Sequence, residues 1–192
     1  TISTLRENWE SIMRKTMLEQ ICPLSPGETY PPELLNEVDR YIDESTGIQT
    51  AFQMEWLQNK VISYSKNKQA QEHDLWWYKD EYNRHLLEMV HSRINRLANG
   101  ELKPEDFRIQ GSLSFCQTLH QKGVKIYIAS GTDHVDLTKE VEILGLSPYL
   151  TDVKGAPSRQ ISCSKEKVLQ DLLQTIPPQE LAVFGDGKVE IQ

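Results

Sequence analysis

The sequence predicts an α/β fold in which a parallel sheet occupies the C-terminal half and an all-helical region precedes it. Three observations carry this. The run Val124-Lys125-Ile126-Tyr127-Ile128-Ala129 is short, β-branched and aromatic, is set off by Gly123 and Gly131, and stops at Ser130-Gly131-Thr132, which suits a buried strand better than a helix. From about residue 105 onward, helical spacings alternate with short extended runs, the grammar of a parallel sheet with crossover helices. Residues 5–100, by contrast, carry helical periodicity and almost no strand signal.

Taken in order, Leu5, Trp9, Ile12, Met13 and Thr16 line one helical face, with Thr4 and Glu7 at capping-box spacing. Pro23 and Pro26-Gly27 interrupt it. Pro31-Pro32 opens a second helix on Leu34, Leu35, Val38 and Ile42, and Thr46-Gly47 ends it. A third follows on Ile48, Phe52 and Trp56. After a polar stretch around residues 63–73 comes a long helix carrying Leu75, Tyr82, Leu86, Val90, Ile94 and Leu97, closed by Asn99-Gly100. The character changes at the proline-containing connector 102–107. A helix on Leu113, Cys116 and Leu119 then feeds the strand that ends at Ser130. Asp133 is placed to cap a helix on Leu137, Val141 and Leu144, which Gly145 ends. Tyr149 to Val153 reads as extended, Ser164-Lys165 begins a helix on Val168, Leu169, Leu172 and Leu173, and Leu181 to Phe184 reads as a short buried strand before Gly185-Asp186-Gly187.

Composition narrows the function. With 192 residues the chain accommodates one ordinary domain and a smaller one. A net charge of −7 argues against a general nucleic-acid binder, which must neutralise phosphates with Lys and Arg. Cys22, Cys116 and Cys163 lie far apart in no metal-ligand spacing and read as free thiols in a reducing compartment. No run approaches the ~20 apolar residues a membrane span needs, and no signal peptide opens the chain. The expectation is a cytoplasmic protein that engages neither membrane nor nucleic acid, with its oligomeric state open.

Three features fall at strand ends or a helix start. In open α/β sheets ligands sit beyond the carboxyl ends of the strands, where Ser130 and the Gly131 turn offer a hydroxyl and backbone N–H groups to an anionic oxygen. Lys165 adds a positive charge at a helix N-terminus. Asp186, with Glu190 four residues on, supplies hard oxygen ligands of the kind Mg²⁺ takes. Singly, each has a plainer reading as a turn, a cap or a solvated charge. Together they point to a phosphate site with a cation.

That order resembles the haloacid dehalogenase (HAD) superfamily of phosphohydrolases, whose second motif is a Ser or Thr ending a strand, third a Lys, and fourth an acidic pair after a strand. The counterparts are Ser130 in Ile-Ala-Ser-Gly-Thr, Lys165 in Ser-Lys-Glu-Lys-Val-Leu, and Asp186 with Glu190 in Phe-Gly-Asp-Gly-Lys-Val-Glu. The resemblance implies that Ser130, Gly131 and Lys165 bind the transferring phosphate, with Ser130 and Lys165 counted as catalytic. It implies that Asp186 binds Mg²⁺, with Glu190 beside it. It further implies a HAD-like three-layer core with a parallel sheet in residues 105–192, and an all-helical cap in residues 1–104, as in the phosphoglycolate-phosphatase-like branch. The family's first motif, D-x-D-G-T, carries the nucleophilic Asp and has no counterpart in these residues. Thr1 resembles its last residue, so the central strand is expected to be missing from this chain, leaving a gap between the strands ending at Ala129 and Phe184.

Two functions follow. One is an Mg²⁺-dependent phosphatase acting on a small phosphomonoester, truncated and impaired as it stands. The alternative is a non-catalytic phosphate-binding or interaction protein that keeps the phosphate cradle. Trp56, Trp76, Trp77 and Tyr78 are candidates to touch a leaving group but serve equally as packing. His134, next to the phosphate loop, is the histidine to test.

Overall fold

The structure, a computed structural model, describes residues 2–65, 72–161 and 164–185. Residues 2–4 run antiparallel to residues 107–109: Ser3 bridges Arg108, the Thr4 amide donates to the Phe107 carbonyl at 2.8 Å, and the Ile109 amide donates to the Ile2 carbonyl at 3.1 Å. This overturns the expected capping box. The Thr4 hydroxyl donates to the Phe107 carbonyl, so it does not serve a helix N-terminus. The first helix, α1 (Trp9–Ile21), begins only after Asn8, which holds a left-handed φ of 81°, a conformation Asn tolerates better than most residues.

The next three helices follow the sequence pattern closely. Helix α2 (Pro32–Glu44) starts on the proline, whose missing N–H costs nothing in a first turn, and buries Leu34, Val38 and Ile42 at four-residue spacing. Helix α3 (Thr50–Ser65) buries Ala51, Met54, Leu57 and Val61. Helix α4 (Leu75–Ala98) is capped by Asp74, whose carboxylate accepts from the Trp77 amide at 2.8 Å. It turns Tyr78, Tyr82, Leu86, Val90 and Leu97 inward. These faces meet Leu5, Met13, Met17, Leu18 and Ile21 in one continuous apolar core.

Tyr41 illustrates how tightly the helices close. Its ring stacks on Trp56 with centroids 4.0 Å apart, and its hydroxyl donates to the Phe52 carbonyl at 3.3 Å. Burial, reinforced by the nearby Glu55 carboxylate, pushes its phenol up to about 12. A folded-state value raised above the unfolded one means that the stabilisation is complete below pH ~10 and declines as pH rises toward about 12. Ultraviolet titration is expected to show several late-ionising phenols, Tyr41 and the buried Tyr82 and Tyr78 among them, and Tyr41→Phe to remove one of them. Loss of the same amplitude near pH ~10 would contradict this packing.

The remaining residues alternate helix and strand. Helix α5 (Ser112–Gln121) leads to strand β1 (Tyr127–Asp133), α6 (His134–Ile143) connects it to β2 (Asp152–Ala156), and α7 (Ser164–Leu173) follows. The strands pair in parallel, with Tyr127 opposite Asp152, Ile128 opposite Val153, Ala129 opposite Lys154 and Asp133 opposite Ala156. The register shifts between Ala129 and Asp133. Helices α6 and α7 each pack on both strands. A second apolar cluster of Leu137, Val141, Leu144 and Leu146 gathers Ile128 and Val153 from the strands and Ile2 and Phe107 from the antiparallel bridge. The expected α/β class with a parallel sheet is therefore present.

Two details differ from expectation. The strand does not occupy residues 124–129 and stop at Ser130. Val124 is solvent-exposed, and the strand runs on through Ser130, Gly131 and Thr132 to Asp133, because Ala156 of β2 pairs with Asp133. Nor do residues 181–184 form a strand. Among the described residues the sheet has two strands and this segment pairs with neither, and an extended run without a pairing partner cannot satisfy its backbone within a sheet. Val183 and Phe184 are accordingly exposed, Phe184 at 77%, and Phe184 meets only the edge of Phe115 among described aromatic contacts.

Candidate phosphate site at the end of strand β1

Ser130 and Gly131 lie in the last half of β1, where the strand turns directly into α6. The Ser130 hydroxyl oxygen accepts from the Thr132 amide at 3.2 Å, a local bond that folds the strand end back on itself. Gly131 is glycine for a steric reason. A Cβ there would stand 2.7 Å from the Ile48 carbonyl oxygen and 3.2 Å from Gln49 Cα, so the α2–α3 connection presses its backbone onto the strand end. Beside this contact the Gln49 amide, itself buried, donates to the Gln160 carbonyl at 2.7 Å.

Asp133 corrects a further expectation. It occupies the position before α6, but its carboxylate makes no cap bond. One oxygen accepts from Lys79 Nζ at 2.5 Å and the other from Asn83 Nδ2 at 3.2 Å. Lys79 and Asn83 stand one turn apart on α4, and the Lys79 side chain is only 7% exposed. Sequence reasoning missed both. The only available signal is a lysine at a position where the apolar face of α4 would otherwise continue beside Tyr78 and Tyr82. Lys79 Nζ also lies 5.9 Å from the Trp76 ring centroid, a cation–π distance. Removing one partner of a largely buried ion pair strands the other charge. With Asp133 still 26% exposed, Lys79→Met is expected to cost about 2 kcal/mol in urea unfolding; a cost indistinguishable from zero would show that the pair contributes nothing.

His134 is exposed, and its Nδ1 accepts from the Gly155 amide at 3.4 Å. Nearby, the Lys154 ammonium holds the Asp152 carboxyl below the usual carboxylate range. Lys165 is the second residue of α7, the helix that packs on both strands, and is half-buried. Asp186 and Glu190 lie outside the described residues, as do Thr1 and Cys163. Of the aromatic candidates, Trp56 is occupied by its stack on Tyr41 and Tyr78 is fully buried, whereas Trp77 stacks on His73 with one face outward.

As a cation site, the described residues contain no cluster of three or more His, Cys, Asp or Glu able to hold a metal. Asp133 is committed to Lys79 and Asn83. The acidic pair Asp186 and Glu190 provides hard oxygen donors that suit Mg²⁺ chemically.

The sequence model of the family described as hydrolase, haloacid dehalogenase-like hydrolase, matches residues 33–192. The chain belongs to this family. No curated protein and no solved structure matches it. The match to the haloacid dehalogenase-like hydrolases runs from α2 through every strand and helix that follows, so it spans Ser130, Lys165 and Asp186 together. Among the described residues no helix is long and apolar enough to cross a membrane.

Proposed function

We propose that this haloacid dehalogenase-like hydrolase is of the phosphatase type, phosphoglycolate-phosphatase-like, and takes a small phosphomonoester together with Mg²⁺. One observation carries the reading. The family match covers residues 33–192, and within it Ser130 lies in the last half of β1 while Lys165 is the second residue of α7, which packs on that strand. In this reading the Ser130 hydroxyl and the Gly131 amide donate to phosphate oxygens. Lys165 balances their charge with a compact ammonium at a helix N-terminus. Asp186 and Glu190 would hold Mg²⁺, which when bound neutralises charge on the phosphoryl oxygens. Residues 1–104 serve as the cap over the site, and residues 105–192 as the core, in a cytoplasmic enzyme.

Calorimetric titration with inorganic phosphate at low salt tests this. Lys165→Ala is expected to weaken binding about 10-fold, the loss of one charge-assisted contact worth ~1.4 kcal/mol. Unchanged affinity would remove Lys165 from the site.

A further inference from the structure

We propose that Gln49 is a positioning residue for the phosphate site: from the helical side it fixes the loop between β2 and α7, and through that loop the ammonium of Lys165. The inference rests on the phosphatase reading and deepens it by naming what holds the two phosphate-binding elements together.

One short stretch of chain touches both elements. The connection between α2 and α3 lies against the end of β1, where a Cβ on Gly131 would meet the Ile48 carbonyl oxygen at 2.7 Å and Gln49 Cα at 3.2 Å. The Gln49 side chain, 3% exposed, donates through Nε2 to the Gln160 carbonyl at 2.7 Å. Gln160 belongs to the loop between the end of β2 at Ala156 and the start of α7 at Ser164, and Lys165 lies five residues on.

The connection is stiff enough to act as a reference. The Gln53 amide donates to Ser45 Oγ at 3.0 Å, both residues being buried, and the Ile48 amide donates to the Ser45 carbonyl at 3.3 Å, so the turn is closed from within. The loop, by contrast, is held from outside. Its Arg159 adopts a left-handed φ of 48°, a conformation that persists in a residue other than glycine only where the surroundings impose it. The Arg159 guanidinium pairs with Asp80 of α4 at 2.8 Å. Two adjacent loop residues are thus tied to the helices, one through its backbone and one through its side chain. An ion pair as exposed as Arg159 and Asp80 contributes little, which leaves the Gln49 bond as the stronger tie. Gln160 is exposed, so its carbonyl turns to water once that bond is lost, and no buried acceptor is stranded. What changes is the path into α7, and with it the place of Lys165, whose charge serves a phosphate only at hydrogen-bond range.

Inorganic phosphate titrated calorimetrically into the full 192-residue chain at low salt tests this in a double-mutant cycle. Gln49→Met keeps the length of the side chain but removes the donor, and is expected to weaken phosphate binding about 5-fold, the size of one lost hydrogen bond. In a Lys165→Ala background the same change is expected to add nothing, because the group it positions is gone. A role confined to stability would leave phosphate affinity where it was. Should Gln49→Met fail to fold, Asp80→Asn releases the same loop at a surface bond. Removing a negative charge would by itself favour an anion, so the roughly 2-fold loss expected of Asp80→Asn has the opposite sign to its electrostatic effect. Unchanged affinity in Gln49→Met, additive losses in the cycle, or, where Asp80→Asn carries the test, phosphate bound as tightly as before, overturns the positioning role while the phosphate site stands. If the unaltered chain does not bind phosphate, the phosphatase reading fails and the positioning role falls with it.

Discussion

Assayed on an aryl phosphate with Mg²⁺, the 192-residue chain is expected to turn over on the order of 10⁶ more slowly than the same chain preceded by a strand-length segment ending in Asp-x-Asp-Gly. Covalent phosphoryl transfer in this family's manner needs a carboxylate aligned with the phosphorus, and little else in the protein does covalent work. The carboxylates described near the strand ends are already engaged. Asp133 is shared between Lys79 and Asn83, Asp152 is paired with the Lys154 ammonium at 2.8 Å, and Asp136 faces Arg6 at 3.7 Å. A carboxylate locked on a cation is a poor nucleophile. Comparable turnover by both chains would mean that another group attacks the phosphorus, and the roles proposed for Ser130 and Lys165 would have to be redrawn around it.

Gly155→Ala is expected to be the most damaging single methyl in the molecule. The added carbon would lie 2.5 Å from His134 Cα, 2.7 Å from its amide nitrogen and 2.7 Å from the Thr132 carbonyl oxygen. All three are backbone atoms, so no side chain swings aside to make room. Strand β2 would have to retreat from the β1–α6 turn, breaking the Asp133–Ala156 pairing and the Gly155 amide bond to His134 Nδ1. Overpacking costs typically a few kcal/mol. With only rigid neighbours, about 3 kcal/mol or more is expected. Gly100→Ala is the comparison: φ is +74° there and nothing lies within 4 Å, so its cost is the left-handed backbone alone, ~1 kcal/mol. Chemical denaturation of the two variants separates these causes, and a Gly155→Ala protein no less stable than Gly100→Ala would sink the steric argument.

Where the fold depends on local chemistry, the sequence was readable. Pro31-Pro32 and the spacing of Leu34, Val38 and Ile42 sufficed for α2, and the long face from Leu75 to Leu97 sufficed for α4, because one helix stripe meets one core. Readings that needed a distant partner failed. Thr4 and Glu7 have the spacing of a capping box, yet Thr4 is bonded to Phe107, 103 residues away. Ser130 looked like the end of a strand because small hydroxyl residues break apolar runs, but pairing with Ala156 extends the strand to Asp133. Residues 181–184 have the right side chains for a strand but pair with no strand among the described residues. The candidate site divides in the same way. Ser130, Gly131 and Lys165 are proposed from their position in the βα pattern. The bonds of Lys79 and Asn83 to Asp133 left no such mark, since only folding brings α4 against a residue 54 positions along the chain from Lys79.

The short antiparallel bridge of residues 2–4 with 107–109 has a further consequence for how the molecule is wired. The stretch that leads into α1 and the connector that leads from α4 to the βα segment run side by side there, stapled by the Thr4–Phe107 and Ile109–Ile2 bonds. Arg93 of α4 braces the same spot from the helical side, donating to the Leu5 and Glu7 carbonyls and lying over the Phe107 ring. Everything between is thus a detour that leaves and returns at one doorway. The bridge is not the only tie: the Ile48 carbonyl against Gly131, the Gln49–Gln160 bond and the Lys79–Asp133 pair also fasten the helices to the strand ends, so a foreign segment grafted at the same two ends would have to remake those contacts.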